Sequence, residues 1–277
     1  MPIPGARPRT IRLTEGARDR AMMTVSGPAL GPRAMQHLLA RTRYVLRIDD
    51  NLTPFYSLAS RDPTLKWVQV GAGRMMRSPT VFEDVVKTIC TTNCTWSATV
   101  RMVTALVAYL GERAPTAPAT GWYGRAFPTP EAMATAGERF YLDVVRAGYR
   151  GPYLLALACA TADGSLNLES FVWGAPCAPS DEQVAAQLLA LPGVGPYAAA
   201  HIMMLLGRYS RLILDSWTRP TYWRLVGKRS GADATIRRRF RPYGRYAGLA
   251  FWLYLTKDWI EDDRSSDFRS PRGAGSG

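Results

Sequence analysis

The 277-residue chain has few of the residues from which metal sites and amine nucleophiles are built. It contains two histidines and four cysteines, and the cysteines at positions 90, 94, 159 and 177 have no zinc-finger spacing. Lysine is also rare, and none lies between Lys87 and Lys228. The sequence therefore indicates neither a disulfide framework nor a zinc site, and four reduced thiols in a cytoplasmic protein are expected.

Long hydrophobic runs are missing as well. No stretch reaches the ~20 apolar residues that a membrane-spanning helix needs, and residues 1–20 are rich in Arg and Pro without the apolar segment of a secretory signal. We expect a cytoplasmic protein with no membrane partner.

The chain does have an excess of positive charge. Lys and Arg total 35 against 22 Asp and Glu, which gives a net charge of +13. A hydrophobic content of 47% is typical of globular proteins rather than disordered ones. The charge predicts a polyanionic partner or an anionic surface.

The segment L-P-G-V-G-P-Y at residues 191–197 is the strongest local motif. Ser180 followed by two acidic residues predicts a capped helix start, and Pro196 suits the first turn of a second helix. We predict a helix, a short hairpin and a second helix over about residues 181–207. Free amides at the start of the second helix would suit a phosphate oxygen.

An apolar run ending in one acid, L-I-L-D at residues 212–215, follows the hairpin. Together, the hairpin and Asp215 resemble the signature of the helix-hairpin-helix DNA glycosylase superfamily, which includes 3-methyladenine and 8-oxoguanine DNA glycosylases. In that family the hairpin grips the DNA backbone and the aspartate stands beside the flipped nucleotide. A purely structural hairpin is the alternative.

Three further motifs occur in the family's order. The I-C-T-T-N-C segment at 89–94 resembles the family's I-C-S-S-N, F-P-T-P at 127–130 recurs in the superfamily, and G-Y-R-G-P-Y at 148–153 resembles G-Y-R-x-x-Y. The resemblance implies that Asn93 and Tyr149 fill the gap left by the extruded base and that Arg150 faces the unpaired base. Simple helix–helix turns are the alternative at both places.

The expected fold is mostly α (α+β), the helix-hairpin-helix DNA glycosylase fold, with two helical subdomains and a small N-terminal antiparallel β-sheet subdomain. We predict a basic disordered arm at 1–20 and a β-rich subdomain at 21–66 with strands near 23–25 and 44–48. A helical core at 67–263 and a disordered tail at 264–277 follow.

The implied chemistry begins with extrusion of a damaged base from double-stranded DNA, because a base cannot be attacked inside a duplex. The Asp215 carboxylate would stabilise the cationic sugar that forms as the N-glycosidic bond breaks; capping the next helix is its alternative role. Aromatic residues would line the base pocket: Trp96, Tyr153, Tyr197, His201, Trp217 and Phe251. Backbone contacts are expected from Leu191, Gly193, Val194, Gly195, Arg237, Arg238 and Arg239.

Bifunctional members carry a lysine at the position of Tyr197, where it forms a Schiff base before strand cleavage. The sequence therefore predicts a monofunctional enzyme that leaves an abasic site. No cysteine between Asp215 and the C-terminus could hold the iron–sulfur cluster of the endonuclease III branch, so none is expected. The resemblance implies that no cofactor is required, although a monovalent cation at the hairpin carbonyls is common in the superfamily and could bind here. It also implies a nucleoid-associated bacterial protein, expected to be a monomer.

The substrate is predicted from departures from the 8-oxoguanine pattern. Phe251 occupies the position of the glutamine that reads the purine, and Ala98 that of a second arginine. An aromatic pocket suits an electron-poor alkylated purine. An 8-oxoguanine-type glycosylase, a catalytically silent binder of damaged DNA and a structural DNA-binding protein remain alternatives.

Overall fold

Residues 1–17, 20–172, 174 and 178–259 are described by a computed structural model, and helices dominate them. Two strands come first, β1 (Ile11–Glu15) and β2 (Ala21–Val25). The helices are α1 (Pro32–Leu46), α2 (Thr53–Ala59), α3 (Val81–Thr91), α4 (Trp96–Leu110), α5 (Pro130–Ala134), α6 (Gly137–Arg139), α7 (Arg150–Ala162), α8 (Asp181–Ala190), α9 (Pro196–Leu205), α10 (Thr218–Leu225), α11 (Asp233–Phe240) and α12 (Ala247–Leu255). Short 3-10 segments lie at Lys66–Val70, Leu168–Phe171 and Arg241–Tyr246, and a π-helical turn at Phe140–Val144.

The chain divides into two units, each built from two separate segments. Unit 1 consists of Met1–Asp50 and Met75–Gly207, and unit 2 of the described residues of Asn51–Arg74 and Arg208–Gly277. Residues 51–74 belong with the C-terminal part, so the units differ from the predicted segments 21–66 and 67–263. The predicted tail at 264–277 lies outside the described residues.

The N-terminal sheet is a single antiparallel hairpin in unit 1. β1 pairs with β2, with Ile11 opposite Val25 and Glu15 opposite Ala21. The prediction of disorder for residues 1–20 is therefore wrong for 11–15, because the backbone of β2 needs a partner and finds it there. The strand predicted at 44–48 is also wrong: α1 runs to Leu46 and buries Leu38 and Thr42 at helical spacing. Residues 21–66 thus contain more helix than strand.

The core of unit 1 is formed where α3 packs against α4, α7 and α9. Thr80 begins α3 as predicted, because its hydroxyl accepts a hydrogen bond from the Glu83 amide at 3.2 Å. Side chains of α3 and α9 such as Val85, Ile89 and Ile202 are fully buried. This core fixes the positions of the turns at the ends of these helices.

Aromatic packing and an ion pair join the two segments of unit 2. Phe55 of α2 contacts the rings of Tyr243 and Tyr246 at 6.5 and 5.6 Å. The Asp62 carboxylate accepts hydrogen bonds from Arg239 and, at 2.7 Å, from the Tyr243 hydroxyl. These contacts explain why residues 51–74 join the C-terminal part of the chain.

No helix within the described ranges is both long enough and apolar enough to cross a membrane.

Candidate nucleic-acid interface

The predicted hairpin connects α8 and α9 in unit 1. Ser180 caps α8 in a reciprocal capping box with Gln183. The Val194 amide then donates to the Leu191 carbonyl at 3.1 Å across Pro192 and Gly193, and Gly193 has a φ of +81°. This arrangement is typical of a type II turn, in which the third residue needs a positive φ. Gly195 is the residue before α9. Because it has no side chain, the first amides of α9 have no side-chain cap.

Uncapped amides at a helix start carry the partial positive charge of the helix dipole. A phosphate oxygen could accept from them without displacing a protein group. Leu191, Gly193 and Gly195 present backbone here, while the Val194 side chain is buried and anchors the turn. Binding of a monovalent cation by the hairpin carbonyls stays a prediction.

Three turns of unit 1 lie next to one another. The Asn93 amide nitrogen, in the turn between α3 and α4, lies 3.4 Å from the Tyr149 hydroxyl oxygen in the turn before α7. The ring of Tyr149 lies 6.1 Å from that of Tyr153. Tyr153 in turn packs on Gly193 so closely that a Cβ there would lie 2.7 Å from the ring. The structure thus brings together the asparagine turn, the G-Y-R turn and the hairpin.

The side chains of Asn93 and Tyr149 are both exposed on the surface that these three turns form. Asn93 is exposed and has a φ of +46°, which asparagine adopts more readily than most residues. Tyr149 is 51% exposed. Burial by itself would raise the pKa of Tyr149, but hydrogen bonds with Thr92 and Asn93 and the charge of Arg150 lower it below its usual value. A polar and an aromatic side chain are therefore presented side by side.

Arg150 does not share this exposure. It is 6% exposed, and its guanidinium donates to the carbonyl oxygens of Thr92 and Ala147. The predicted contact with an unpaired base requires a surface side chain, so the structure gives this contact no support. The helix–helix turn that was the alternative for the asparagine segment is present between α3 and α4, and Asn93 is exposed in it.

The predicted pocket residues of unit 1 occupy different environments. Tyr197 and His201 are half-buried on α9 with their rings 5.9 Å apart, and Tyr153 is half-buried against the hairpin. Trp96, at the start of α4, is 74% exposed. Such exposure is rare for a tryptophan and suits a surface contact better than a pocket wall.

Asp215 begins the turn that leads into α10 in unit 2. Its Oδ1 accepts hydrogen bonds from the amides of Trp217 at 2.8 Å and Thr218 at 2.6 Å, and its own amide donates to the Thr218 hydroxyl. The predicted capping role is therefore present. Among the described residues, no donor lies within hydrogen-bond distance of Oδ2. One carboxylate oxygen is therefore fixed by the backbone.

Trp217, two positions after Asp215, belongs to a cluster of three tryptophans in unit 2. The ring of Trp217 lies 5.9 Å from that of Trp252 and 5.4 Å from that of Trp259, and Trp252 and Trp259 are 6.2 Å apart. Trp217 and Trp259 are 38% and 56% exposed. Trp252 and Trp259 were not predicted from the sequence, although four tryptophans lie within the 44 positions after Asp215, which is a compositional signal for such a cluster.

Phe251 is not part of this surface. Its side chain is fully buried and packs against Phe240 and Tyr222 at 5.2 and 6.2 Å. The pocket prediction for Phe251 is corrected to a core position. The error arises because α12 is apolar on all sides, so its sequence does not indicate which aromatic faces outward.

The three arginines of the predicted basic cluster on α11 differ in exposure and in their contacts. Arg237 and Arg238 are exposed, whereas Arg239 pairs with the largely buried Asp62. Arg237 and Arg238 therefore have the exposure that phosphate contacts need, and Arg239 stabilises unit 2.

Neither a protein-family model nor a curated protein matches this sequence. Solved structures do match its fold. MBOgg1 in complex with a low-affinity DNA ligand matches with a TM-score of 0.70 and 19% identity, covering 90% of this chain and 82% of that one. The apo-form of an 8-oxoguanine glycosylase/lyase from Clostridium acetobutylicum matches at 0.68 and 21% identity, covering 88% and 82%.

A 3-methyladenine DNA glycosylase from Archaeoglobus fulgidus matches at 0.65 and 19% identity, covering 91% of this chain and 87% of that one. The fold class predicted from the sequence, that of the helix-hairpin-helix DNA glycosylases, is therefore confirmed. At this level of identity the similarity establishes the fold alone.

Proposed function

We propose that this chain, which has the fold of the helix-hairpin-helix DNA glycosylases, is a monofunctional DNA N-glycosylase that excises an alkylated purine from duplex DNA. The observation that carries the proposal is the position of Asp215 beside the cluster of Trp217, Trp252 and Trp259. A fixed carboxylate and an accessible aromatic surface are the two elements that such a reaction needs.

Duplex binding would rest on the hairpin and on surface arginines. Phosphate oxygens can accept from the first amides of α9, which have no side-chain cap. Arg237 and Arg238 would add contacts whose strength falls with salt concentration. The net charge of +13 favours the same partner.

Base extrusion would rest on the adjacent turns of unit 1. Tyr149 is an exposed aromatic that could enter the base stack, and Asn93 beside it could hydrogen-bond in the space that the base leaves. Wedges of this kind offset the cost of unstacking, which is a few kcal/mol per step. The exposed Trp96 would contact the same stretch of DNA.

The flipped base would stack on the tryptophan cluster. N-alkylated purines such as 3-methyladenine and 7-methylguanine are electron-poor, and both carry a formal positive charge while they are attached to the deoxyribose. Attraction between a cation and an aromatic face contributes about 0.5–2 kcal/mol, most with tryptophan. The unmodified purines lack that charge, so the cluster would favour the alkylated base.

Asp215 would act on the sugar. As the N-glycosidic bond lengthens, positive charge develops at C1′ and O4′, and the Oδ2 oxygen can stabilise it electrostatically. The two backbone amides that hold Oδ1 keep the carboxylate oriented without side-chain reorganisation. The same oxygen could accept a proton from the attacking water.

Strand cleavage is not expected from this chain. Tyr197 stands at the family's lysine position, and a phenol cannot form the Schiff base that β-elimination requires. The product would be an intact strand carrying an abasic site.

An 8-oxoguanine-type glycosylase is the second candidate. It is favoured by the contact between Asn93 and Tyr149, since both lie in motifs that resemble that branch. A silent damage binder is the third, and it would bind an abasic analogue without releasing any base.

The test uses labelled duplexes that carry 7-methylguanine, 8-oxoguanine, hypoxanthine or uracil. We expect breaks only after alkali, largest for the alkylated purine and absent in Asp215→Asn. Breaks without alkali would refute the monofunctional assignment, and release of 8-oxoguanine alone would favour the second candidate. Tight binding to an abasic duplex without release of any base would favour the third.

A further inference from the structure

Arg150 is the one member of the G-Y-R turn that faces inward. The neighbouring Tyr149 is 51% exposed, whereas Arg150 is 6% exposed at the start of α7. A buried guanidinium is costly unless hydrogen bonds compensate it. Its burial therefore requires hydrogen-bond partners within the fold.

The partners of Arg150 lie in both turns that carry the exposed side chains. Nη2 donates to the Thr92 carbonyl, in the peptide that leads directly into Asn93, and Nη1 lies 3.4 Å from the Ala147 carbonyl. The guanidinium carbon also lies 4.5 Å from the centre of the Tyr149 ring. One side chain thus contacts the asparagine turn, the turn before α7 and the aromatic ring itself.

Both turns use backbone conformations that need support. Asn93 has a φ of +46°, and Arg146, in the turn before α7, has a φ of +55°. Non-glycine residues in the left-handed region cost free energy and persist where their surroundings fix them. The hydrogen bond to the Thr92 carbonyl fixes the peptide plane on which the Asn93 conformation depends.

We propose that Arg150 is a positioning residue that holds Asn93 and Tyr149 together as one preformed wedge, and that it does not itself contact the orphan base. This inference rests on the proposed function, because the wedge has its use in DNA from which a base is extruded. A preformed wedge loses less conformational entropy on binding than two mobile turns.

The first measurement needs no DNA. Hydrogen–deuterium exchange would be followed in peptides covering residues 90–97 and 146–151 of the full chain. Arg150→Met keeps much of the volume but leaves the Thr92 carbonyl without its charged donor, and we expect faster exchange in both peptides. Arg146→Met, at an exposed arginine of the same turn, is the matched control and should leave residues 90–97 unchanged.

Arg150→Lys keeps the charge but loses the planar fork that reaches two carbonyls, and it guards against a failure of Arg150→Met to fold. The proposal is overturned if exchange at residues 90–97 stays unchanged in Arg150→Lys and, where that variant folds, in Arg150→Met. This outcome does not depend on any DNA-binding measurement.

The second measurement is affinity for duplexes with an abasic analogue opposite each of the four bases. We expect Arg150→Lys to weaken binding about tenfold, as for loss of one charge-assisted hydrogen bond, and equally for all four bases. A loss confined to one opposite base would show that Arg150 reads that base, and would overturn the positioning role.

A double-mutant cycle separates positioning from general stability. If Arg150 acts through Asn93, Arg150→Lys should cost little further affinity in an Asn93→Ala background. Additive losses would overturn the proposal. If the unmodified chain binds no abasic duplex, the proposed function fails, while the exchange measurement still decides the role of Arg150.

Discussion

Asp215→Asn separates the two roles that the structure gives to this side chain. Asparagine retains an Oδ1 that can accept from the amides of Trp217 and Thr218, and Asn and Asp are about equally good caps. Only the charge near the start of α10 is lost, which costs about 0.3–1 kcal/mol of folding stability. The fold should therefore remain intact.

The effect on catalysis should be far larger. Removing one preorganised group that stabilises transition-state charge typically lowers the rate by about 10²–10³, or about 3–4 kcal/mol. We expect a loss of this size in single-turnover release of 7-methylguanine, with affinity for an abasic duplex within a few-fold of the unmodified chain. Asp215→Ala should lose the cap as well, at about 0.5–2 kcal/mol.

Asp233→Asn is the matched control. Asp233 also lies at a helix start in unit 2, where both its oxygens pair with Arg219 at 2.8 Å. The pair is more than a third exposed, so its loss should cost about 1 kcal/mol or less and leave the excision rate unchanged. Excision by Asp215→Asn within threefold of the unmodified rate would refute the catalytic role of the carboxylate.

Three further predictions concern the hairpin, the tryptophan cluster and the ion pair between Asp62 and Arg239. Gly193→Ala places a Cβ 2.7 Å from the Tyr153 ring at a φ of +81°, so its affinity for duplex DNA should fall at least tenfold. Gly195→Ala is the control, because its Cβ meets no atom within 4 Å and the variant should fold normally. Equal duplex affinities of the two variants in titrations would contradict this geometry. Trp259→Ala should slow release of 7-methylguanine more than that of hypoxanthine, measured as a ratio of single-turnover rates, because only the former is cationic; an unchanged ratio would contradict stacking on the cluster. Although burial alone would raise the pKa of Asp62, hydrogen bonds from Arg239, Thr64 and Tyr243 lower it to about 2. The Asp62 carboxylate should therefore stabilise the fold by about 1–2 kcal/mol after screening, fully above pH 4 and progressively less as the pH falls towards 2. Asp62→Asn should remove this part of the pH dependence of the free energy of unfolding, measured in denaturant titrations. The same dependence at acid pH in the variant and the unmodified chain would contradict the prediction.

The parts of the fold that could be predicted from sequence are those fixed by local chemistry. Ser180, Thr80 and Pro196 mark helix starts through hydroxyl caps and a fixed φ, and all three begin helices in the structure. The hairpin followed because Pro-Gly stops one helix where Gly-Pro opens the next. These signals act over four residues or fewer, so they need no knowledge of tertiary contacts.

The errors all lie where a distant partner decides. Residues 11–15 form a strand because residues 21–25 pair with them, and residues 44–48 have an alternating pattern that the tertiary packing of α1 overrides. Phe251 and Trp252 are neighbours on one apolar helix, and only packing against Phe240 or Trp217 determines which faces the core. The inward orientation of Arg150 likewise depends on the carbonyl of Thr92, 58 positions away.

Each unit is built from two separate segments of the chain, and this affects the order in which the units can fold. Residues 51–74 belong to unit 2, yet their partners begin at Arg208, and the Asp62–Arg239 pair joins residues 177 positions apart. During synthesis, Phe55 and its neighbours leave the ribosome long before the aromatic rings that cover them. Unit 1 can bury the core of residues 81–206 as soon as that segment is made. Unit 2 is therefore expected to form last, and the segment 51–74 is where a chaperone or a protease would meet the nascent chain.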